Sequence, residues 1–194
     1  QGAVEDVLAD VVVDASGQST FLANRSHLTS DKELGRYDKQ VAIFSQVAGT
    51  LRDPGDAAGN TLIFYKRKHH WAWFIPLDDD VVSVGVVVSS DYFKAQKCSK
   101  EEFLQRELRT LNPELSKRVP DLTLVEPVHT ASNYSYHVKQ FTGKGFLCVG
   151  DSHRFVDPIF SFGVYFGVKE AQFATQAICQ YLNGETHDLD NPFG

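Results

Sequence analysis

Residues 146–168 read FLCVGDSHRFVDPIFSFGVYFGV, and the order of residue types in this stretch decides the fold class. Phe146-Leu147-Cys148-Val149 is a short apolar run of the kind a buried strand shows. It stops at Gly150-Asp151, and a second carboxylate followed by a proline comes soon after, at Asp157-Pro158. A Ser-, Gly- and aromatic-rich segment from Ser161 to Gly167 then reads as the start of a helix. Strand, acid-bearing tight turn and helix N-terminus form the usual α/β arrangement for a phosphate-bearing cofactor. The same order also describes an ordinary strand-loop-helix connection with two solvated aspartates.

Working outward, ADVVVDASG at Ala9–Gly17 is a second compact signal. Its three valines predict a central strand buried on both faces, and Asp14-Ala15-Ser16-Gly17 a sharp turn of small residues that lets backbone or ligand approach. Residues 21–36 predict a short helix and a connection, Gln40 to Thr50 a strand, and Arg52 to Asn60 a loop. From Thr61 the chain reads as an antiparallel meander: Thr61 to Tyr65, His70 to Pro76 and Val81 to Ser89. Its turns fall at Lys66-Arg67-Lys68 and Asp78-Asp79-Asp80, and the basic cluster Lys66–His70 reads as a solvated hairpin end.

Trp71 and Trp73 are the only two tryptophans, and strand alternation sets them side by side on one face with Ile75. Core packing and the wall of an aromatic-substrate or cofactor cavity both fit that pair. Residues 90–119 are helical, with Asp91 as one cap and Ser99 with Glu102 as a capping box. Phe103, Leu104, Leu108 and Leu111 recur on one helix face. Leu122–Val128 and Ser132–Val138 are strand-like, Thr142–Gly145 is a turn, and a last helix runs from about Gly163 to Asn183, its small residues suited to packing on a sheet.

Bulk properties bound the function classes. The chain has 194 residues, 42% hydrophobic and 23% charged, close to ordinary soluble globular composition. A net charge of −6 gives no basis for nucleic acid as a partner. No apolar run approaches the roughly 20 residues that span a bilayer. The three cysteines, Cys98, Cys148 and Cys179, read as free thiols in a reducing compartment, with Cys148 and Cys179 buried. The seven histidines never pair with Cys or carboxylates at metal-ligand spacing, and neither a Gly-x-Ser-x-Gly elbow nor a Walker loop is present. The absence of methionine leads to the expectation that Gln1 is not the natural start.

Taken together, these residues resemble the flavin-dependent halogenases, within the wider flavoprotein monooxygenase and geranylgeranyl-reductase-like superfamily. ADVVVDASG and Val149-Gly150-Asp151 with Asp157-Pro158 carry the superfamily likeness. Trp71-Ala72-Trp73-Phe74-Ile75-Pro76 matches the family's W-x-W-x-I-P pattern, and Asp157-Pro158-Ile159-Phe160-Ser161-Phe162-Gly163-Val164 approaches its D-P-x-x-S-x-G-[IV] segment. The resemblance implies an α/β (α+β) fold, part of an FAD-binding Rossmann-like domain with an inserted antiparallel substrate-side sheet and flanking helices. Residues 1–36 and 141–184 would belong to the FAD-binding domain, 37–140 to the insert, and 185–194 to an unstructured tail.

The resemblance further implies the cofactor residues Gly17, Gly150, Asp151, Asp157, Pro158, Gly163 and Val164. Asp151 would meet the ribityl or pyrophosphate part of FAD. The backbone N–H groups of Phe162 and Gly163 would hold the halide, with Ser161 beside them. Trp71, Trp73 and Ser161 would serve catalysis, the tryptophans walling the substrate from the flavin, and no metal is implied. The implied reaction uses reduced FAD from a separate flavin reductase, oxygen and chloride or bromide. It halogenates an electron-rich substrate, free or tethered to a carrier protein, through hypohalous acid in a cytoplasmic, antibiotic-type biosynthesis. The family's G-x-G-x-x-G turn and active-site lysine are absent from these residues, so an internal fragment, inactive by itself, is expected. Phe162 is bulkier than the family's usual residue there. A flavoprotein hydroxylase or reductase of the same superfamily stays open as the alternative, as does an inactive remnant acting only as a binding module.

Overall fold

A computed structural model describes residues 3–35, 39–78, 80–132, 134–186 and 188–194. In chain order the elements are β1 (Val12–Asp14), α1 (Phe21–Arg25), β2 (Lys32–Leu34), β3 (Gln40–Ala48), β4 (Leu62–Arg67), β5 (His70–Pro76) and β6 (Val82–Ser89). There follow α2 (Ser90–Ala95), α3 (Lys100–Thr110), α4 (Pro113–Arg118), β7 (Thr123–Leu124), β8 (His129–Ser132) and β9 (Tyr136–Val138). β10 (Thr142–Gly143), β11 (Phe146–Cys148), β12 (Arg154–Phe155) and α5 (Gly163–Leu182) complete the chain. These form two compact units: Gln1–Arg36 with Tyr134–Gly194, and Tyr37–Asn133 between them. Of the predicted features, Asp79 of the Asp78–Asp80 turn and the 36/37 boundary lie outside the described residues.

The second unit is a six-stranded antiparallel sheet in the order β4-β5-β6-β3-β7, with β8 also paired to β3. Strand alternation divides its two faces. Val41, Ile43, Val47, Phe64, Ala72, Phe74, Val82, Val84, Val86 and Val88 point to one side and pack with Phe103, Leu104, Leu108 and Leu111 of the helical layer. The helix face read from sequence is therefore the face that covers the sheet. Ser99 accepts from the Glu102 N–H and Glu102 accepts from the Ser99 N–H, so the capping box forms. Ser99→Ala is expected to cost about 1 kcal/mol in urea unfolding; an unchanged midpoint would remove this cap from the account. Ser89, not Asp91, caps α2 by accepting from Tyr92 N–H.

Two expectations change here. The predicted strand Leu122–Val128 breaks after Leu124. Ser45 of β3 donates its hydroxyl to the Glu126 carbonyl at 2.9 Å where Pro127 has no N–H to offer the ladder. His70 is not part of a solvated hairpin end, for it is buried and bonded to Glu107 of α3 at 2.8 Å. The β4 strand runs on to Arg67 through a bulge after Tyr65.

In the first unit β11 pairs in parallel with β1 and antiparallel with β10, while β9 lies between β2 and β12. Tyr136–Val138, predicted in the inserted sheet, thus joins Lys32–Leu34. The expectation that the valine strand is covered on both faces is not met: Val12 and Val13 are 44% and 47% exposed. Among the described residues β1 has one partner strand, and only Asp14 at its end is buried. No residue of α5 is buried either, so its small side chains are not packed into a sheet in this chain. Cys148 is buried as expected, but Cys179, on α5, is exposed. Residues 185–194 were expected to lack structure, yet Phe193 is buried and packs edge-on against Tyr181 at 5.3 Å. Among the described residues no helix is long and apolar enough to cross a membrane, and no cluster suits a metal ion.

Candidate functional site

In the first unit Gly17 follows the end of β1, Gly150 and Asp151 follow β11, and Asp157 to Val164 lead from β12 into α5. Asp14 closes β1 and is buried. One of its carboxylate oxygens accepts from Ser16 N–H at 2.9 Å and the other from Leu22 N–H at 2.7 Å. Burial alone would raise this carboxyl, but the Leu22 and Ser16 hydrogen bonds outweigh it and hold it below the usual range. Asp14 is therefore the acid that shapes the Ala15–Gly17 turn, in which Gly17 takes φ +64 with nothing within 4 Å of a Cβ placed there.

The Gly150-Asp151 turn is stitched to the first. Val149 N–H donates to the Asp14 carbonyl at 2.9 Å, and the buried Ser152 hydroxyl contacts that same carbonyl. Gly150 has φ +62, and a Cβ there would stand 3.6 Å from the Cα of Gly167 on α5. That is ordinary van der Waals contact, so glycine is favoured at position 150 by its positive φ and not by lack of space. Asp151 accepts a side-chain hydrogen bond from Gln18, but burial, helped by the Glu170 charge, raises its carboxyl above the ordinary range. Tyr136 donates its hydroxyl to the Asp151 carbonyl at 2.6 Å, and burial with the Asp151 charge pushes that phenol up to about 12.

Asp157 folds its own loop by accepting from Ile159 N–H at 2.9 Å. The Ser161 N–H donates to the Pro158 carbonyl at 3.0 Å, and Ser161 then takes φ +54, unusual for a residue with a side chain. The helix α5 begins two residues later, with Phe162 at its N-cap position. No side chain caps this end and its first turn holds no acidic residue. The first helical bond, Phe166 N–H to the Phe162 carbonyl, leaves earlier N–H groups of the turn without helical partners. Nothing lies within 4 Å of a Cβ at Gly163, while Phe162 leans towards Phe160 at 6.0 Å and Phe166 at 5.8 Å. Nearby, the Tyr134 hydroxyl is buried with no hydrogen-bond partner among the described residues. Burial and the Asp157 charge keep it protonated well past neutral pH.

In the second unit, the sheet face opposite α3 carries Trp71 and Trp73 with centroids 6.0 Å apart. Trp73 is held on several sides. Its indole Nε1–H donates to Ser83 Oγ at 3.1 Å, and Phe44 lies 5.8 Å away, tilted by 41°. Its ring lies over Gly85, so closely that a Cβ at Gly85 would come within 2.3 Å of it. Trp73, Gly85 and Phe44 are cross-strand neighbours on β5, β6 and β3, which is why the sheet brings them together. Trp71 is almost fully buried and Trp73 half-buried.

The predicted residues thus fall into two sets. Gly17, Gly150, Asp151, Asp157, Pro158 and Ser161–Val164 belong to the first unit, and the tryptophans to the second. Sequence reading missed Gln18, Tyr136, His153, Glu170, Ser83 and Gly85. Gly85 alone carried a signal, as a lone glycine inside a valine-rich strand, which marks close approach by another group.

The flavin and halide implied by the sequence suit this geometry on its own observations. Gly17 and Gly150 supply backbone at positive φ, Asp151 a partly buried acceptor, and the start of α5 N–H donors without helical partners, of the kind that hold anions.

Comparison with known proteins identifies the family. Residues 3–189 match the family described as tryptophan halogenase. The chain is 35% identical over 187 residues to the 1H-pyrrole-2-carbonyl-[peptidyl-carrier protein] brominase of Pseudoalteromonas luteoviolacea, covering 96% of this chain and 45% of that protein. It is 30% identical over 180 residues to the corresponding chlorinase of Pseudomonas fluorescens, covering 90% of this chain and 39% of that protein. The structure of the flavin-dependent brominase Bmp2 superimposes with a TM-score of 0.88 at 35% identity, over 100% of this chain and 48% of that one. The chain spans less than half the length of these relatives.

Proposed function

The chain belongs to the tryptophan halogenase family, and from that premise we propose that it is part of a flavin-dependent halogenase acting on an electron-rich aromatic ring. A pyrrole-2-carbonyl group tethered to a carrier protein is the first substrate to try, given the likeness to the brominase and chlorinase above. The observation that carries the reading is the start of α5. A 20-residue helix opens without side-chain cap or first-turn acid, two residues after the positive-φ Ser161.

The proposed division of work follows from the residues. The N–H groups of Phe162 and Gly163 seat the halide at the positive end of the α5 dipole. Gly17, Gly150, Asp157, Pro158, Gly163 and Val164 line the flavin, and Asp151 takes its ribityl or pyrophosphate side. When bound, reduced FAD, supplied by a separate flavin reductase, provides the reaction with oxygen that turns halide into hypohalous acid. Trp71 and Trp73 form a rigid wall that keeps the substrate ring off the flavin. The free thiols support a reducing, cytoplasmic setting.

The test is made on protein expressed from the complete reading frame, given reduced FAD, oxygen, bromide and the carrier-tethered pyrrole. Brominated product, read by its isotope pattern, is the expected result. Hydroxylated product alone would replace the reading with a flavin hydroxylase, and no turnover with FAD bound would leave a binding module. Trp73→Ala is expected to lower halogenation about tenfold or more while FAD affinity stays within about twofold. Equal loss of both would make Trp73 a core aromatic only.

A further inference from the structure

A continuous polar network lies behind the Gly150-Asp151 turn. Glu170 lies one turn beyond Gly167 on α5, and its two carboxylate oxygens are both engaged. One accepts from Gly150 N–H at 2.6 Å and the other meets His153 Nδ1 at 2.9 Å. The Nε2 of His153 lies 3.2 Å from Arg154 Nη2. Arginine can only donate, so Nε2 accepts and Nδ1 carries the proton. The chain of bonds runs from Arg154 through His153 to Glu170, which also receives Gly150. His153 itself is buried, its ring stacked flat on Phe141 with centroids 3.6 Å apart and planes 13° from parallel. Burial would raise the Glu170 carboxyl, but the His153 and Gly150 hydrogen bonds prevail and keep it ionised.

Packing alone does not call for this arrangement. An apolar side chain would fill the same space without a charge to desolvate. What the carboxylate does is hold the N–H of a positive-φ glycine, the residue directly before Asp151, against a helix. We propose that Glu170 and His153 are positioning residues for the flavin: together they fix the Gly150 turn in the pose from which Asp151 meets the cofactor. The inference rests on the flavin reading of that turn. Neither residue touches the cofactor; both act through the backbone that carries Asp151, with Ser152 and the Asp14 carbonyl holding the turn from its other side.

Glu170→Gln keeps the size of the side chain but has one acceptor where two donors point at it. His153→Phe keeps the stack on Phe141 and removes the Nδ1–H. FAD affinity is measured by flavin fluorescence on protein expressed from the complete reading frame, for each variant in the parent and in an Asp151→Asn background. Glu170→Gln is expected to weaken FAD about tenfold in the parent and less than about twofold in Asp151→Asn, because it acts through Asp151. Nitrogen-15 spectra of labelled histidine should show the Nδ1-protonated form in the parent and in Glu170→Gln alike, since Arg154 still donates to Nε2, with the Nδ1 resonance moved in the variant as its carboxylate partner is lost. Equal loss in both backgrounds, or no loss from either Glu170→Gln or His153→Phe, overturns the proposal. If Glu170→Gln does not fold, the His153→Phe pair of measurements decides. An Asp151→Asn protein that binds FAD as tightly as the parent overturns instead the flavin reading of the turn.

Discussion

Gly85→Val is expected to expel the Trp73 indole from its seat and to cost the second unit roughly 3 kcal/mol. The reason is geometric. The six-membered part of the indole occupies the place where a Cβ would stand, at 2.3 Å, far inside any van der Waals contact. Gly85 lies at the middle of a central strand, paired on both sides, to Phe44 and to Trp73, so the backbone has little freedom to retreat. The ring must leave, and with it go the bond to Ser83 and the contact with Phe44. Urea unfolding reads the cost, and tryptophan emission should move to the red as the indole meets water. Adding Trp73→Leu should recover at least half of the lost stability, since the smaller side chain makes room for the valine. A Gly85→Val protein within about 0.5 kcal/mol of the parent would mean the seat is looser than described. Under the proposed function the same variant loses the substrate wall without changing either tryptophan.

The second large effect concerns the buried group at the other face of this sheet. Glu107 is enclosed by the core, with His70 Nε2 at 2.8 Å on one oxygen and the Tyr92 hydroxyl at 3.0 Å on the other. Arg106 approaches at 3.5 Å. Burial by itself would raise the Glu107 carboxyl; the His70 and Tyr92 hydrogen bonds bring it below its ordinary value, while burial, helped by the Glu107 hydrogen bond and charge, raises the Tyr92 phenol. His70→Leu leaves that carboxylate short of a partner in a dry environment, and a loss of about 3 kcal/mol is expected. The double variant His70→Leu, Glu107→Met removes both polar groups and should regain most of it. The sign of the pH dependence follows from the lowered folded-state value. Glu107 contributes fully above the ordinary carboxyl value of about 4.3, and the contribution is lost as pH falls through the lower folded value. Glu107→Gln should therefore narrow the stability gap between pH 7 and pH 3. A gap as wide as the parent's would assign the acid sensitivity to other carboxylates.

Both effects lie where sequence patterns were only partly legible. The meander from Leu62 to Ser89, the capping box at Ser99 and the apolar face of α3 could be read because each rests on a local period. The shared face of Trp71 and Trp73 followed from alternation alone. What held the tryptophan could not be read, for Gly85 and Ser83 meet Trp73 only once the strand register is set. His70 was misplaced because a run of basic residues was judged by charge, and its partner is on a helix more than thirty residues away. The strands Lys32–Leu34 and Tyr136–Val138 are three residues each, too short and too mixed in polarity to show a period. The valine run at β1 signalled burial, but burial needs a covering layer, and Val12 and Val13 have none among the described residues. In the candidate site, the Gly-Asp and Asp-Pro turns were legible as turns. The His153–Glu170 support was not, since its members meet through tertiary folding.

The discontinuity of the first unit has a kinetic corollary. The parallel pairing of Val12 with Phe146 brings together residues separated by the entire second unit, and such non-local contacts are slow to form in an open chain. The second unit carries its own remedy: Val41 near its beginning is paired to Ser132 near its end. Once that sheet has folded, the long excursion becomes a short closed hairpin, and the entropy of bringing β1 to β11 falls accordingly. During synthesis the meander is complete before Phe146 has been made. A variant that loosens the meander should thus delay assembly of the Gly-Asp turn without touching a residue of it, coupling maturation of that turn to the order in which the chain emerges.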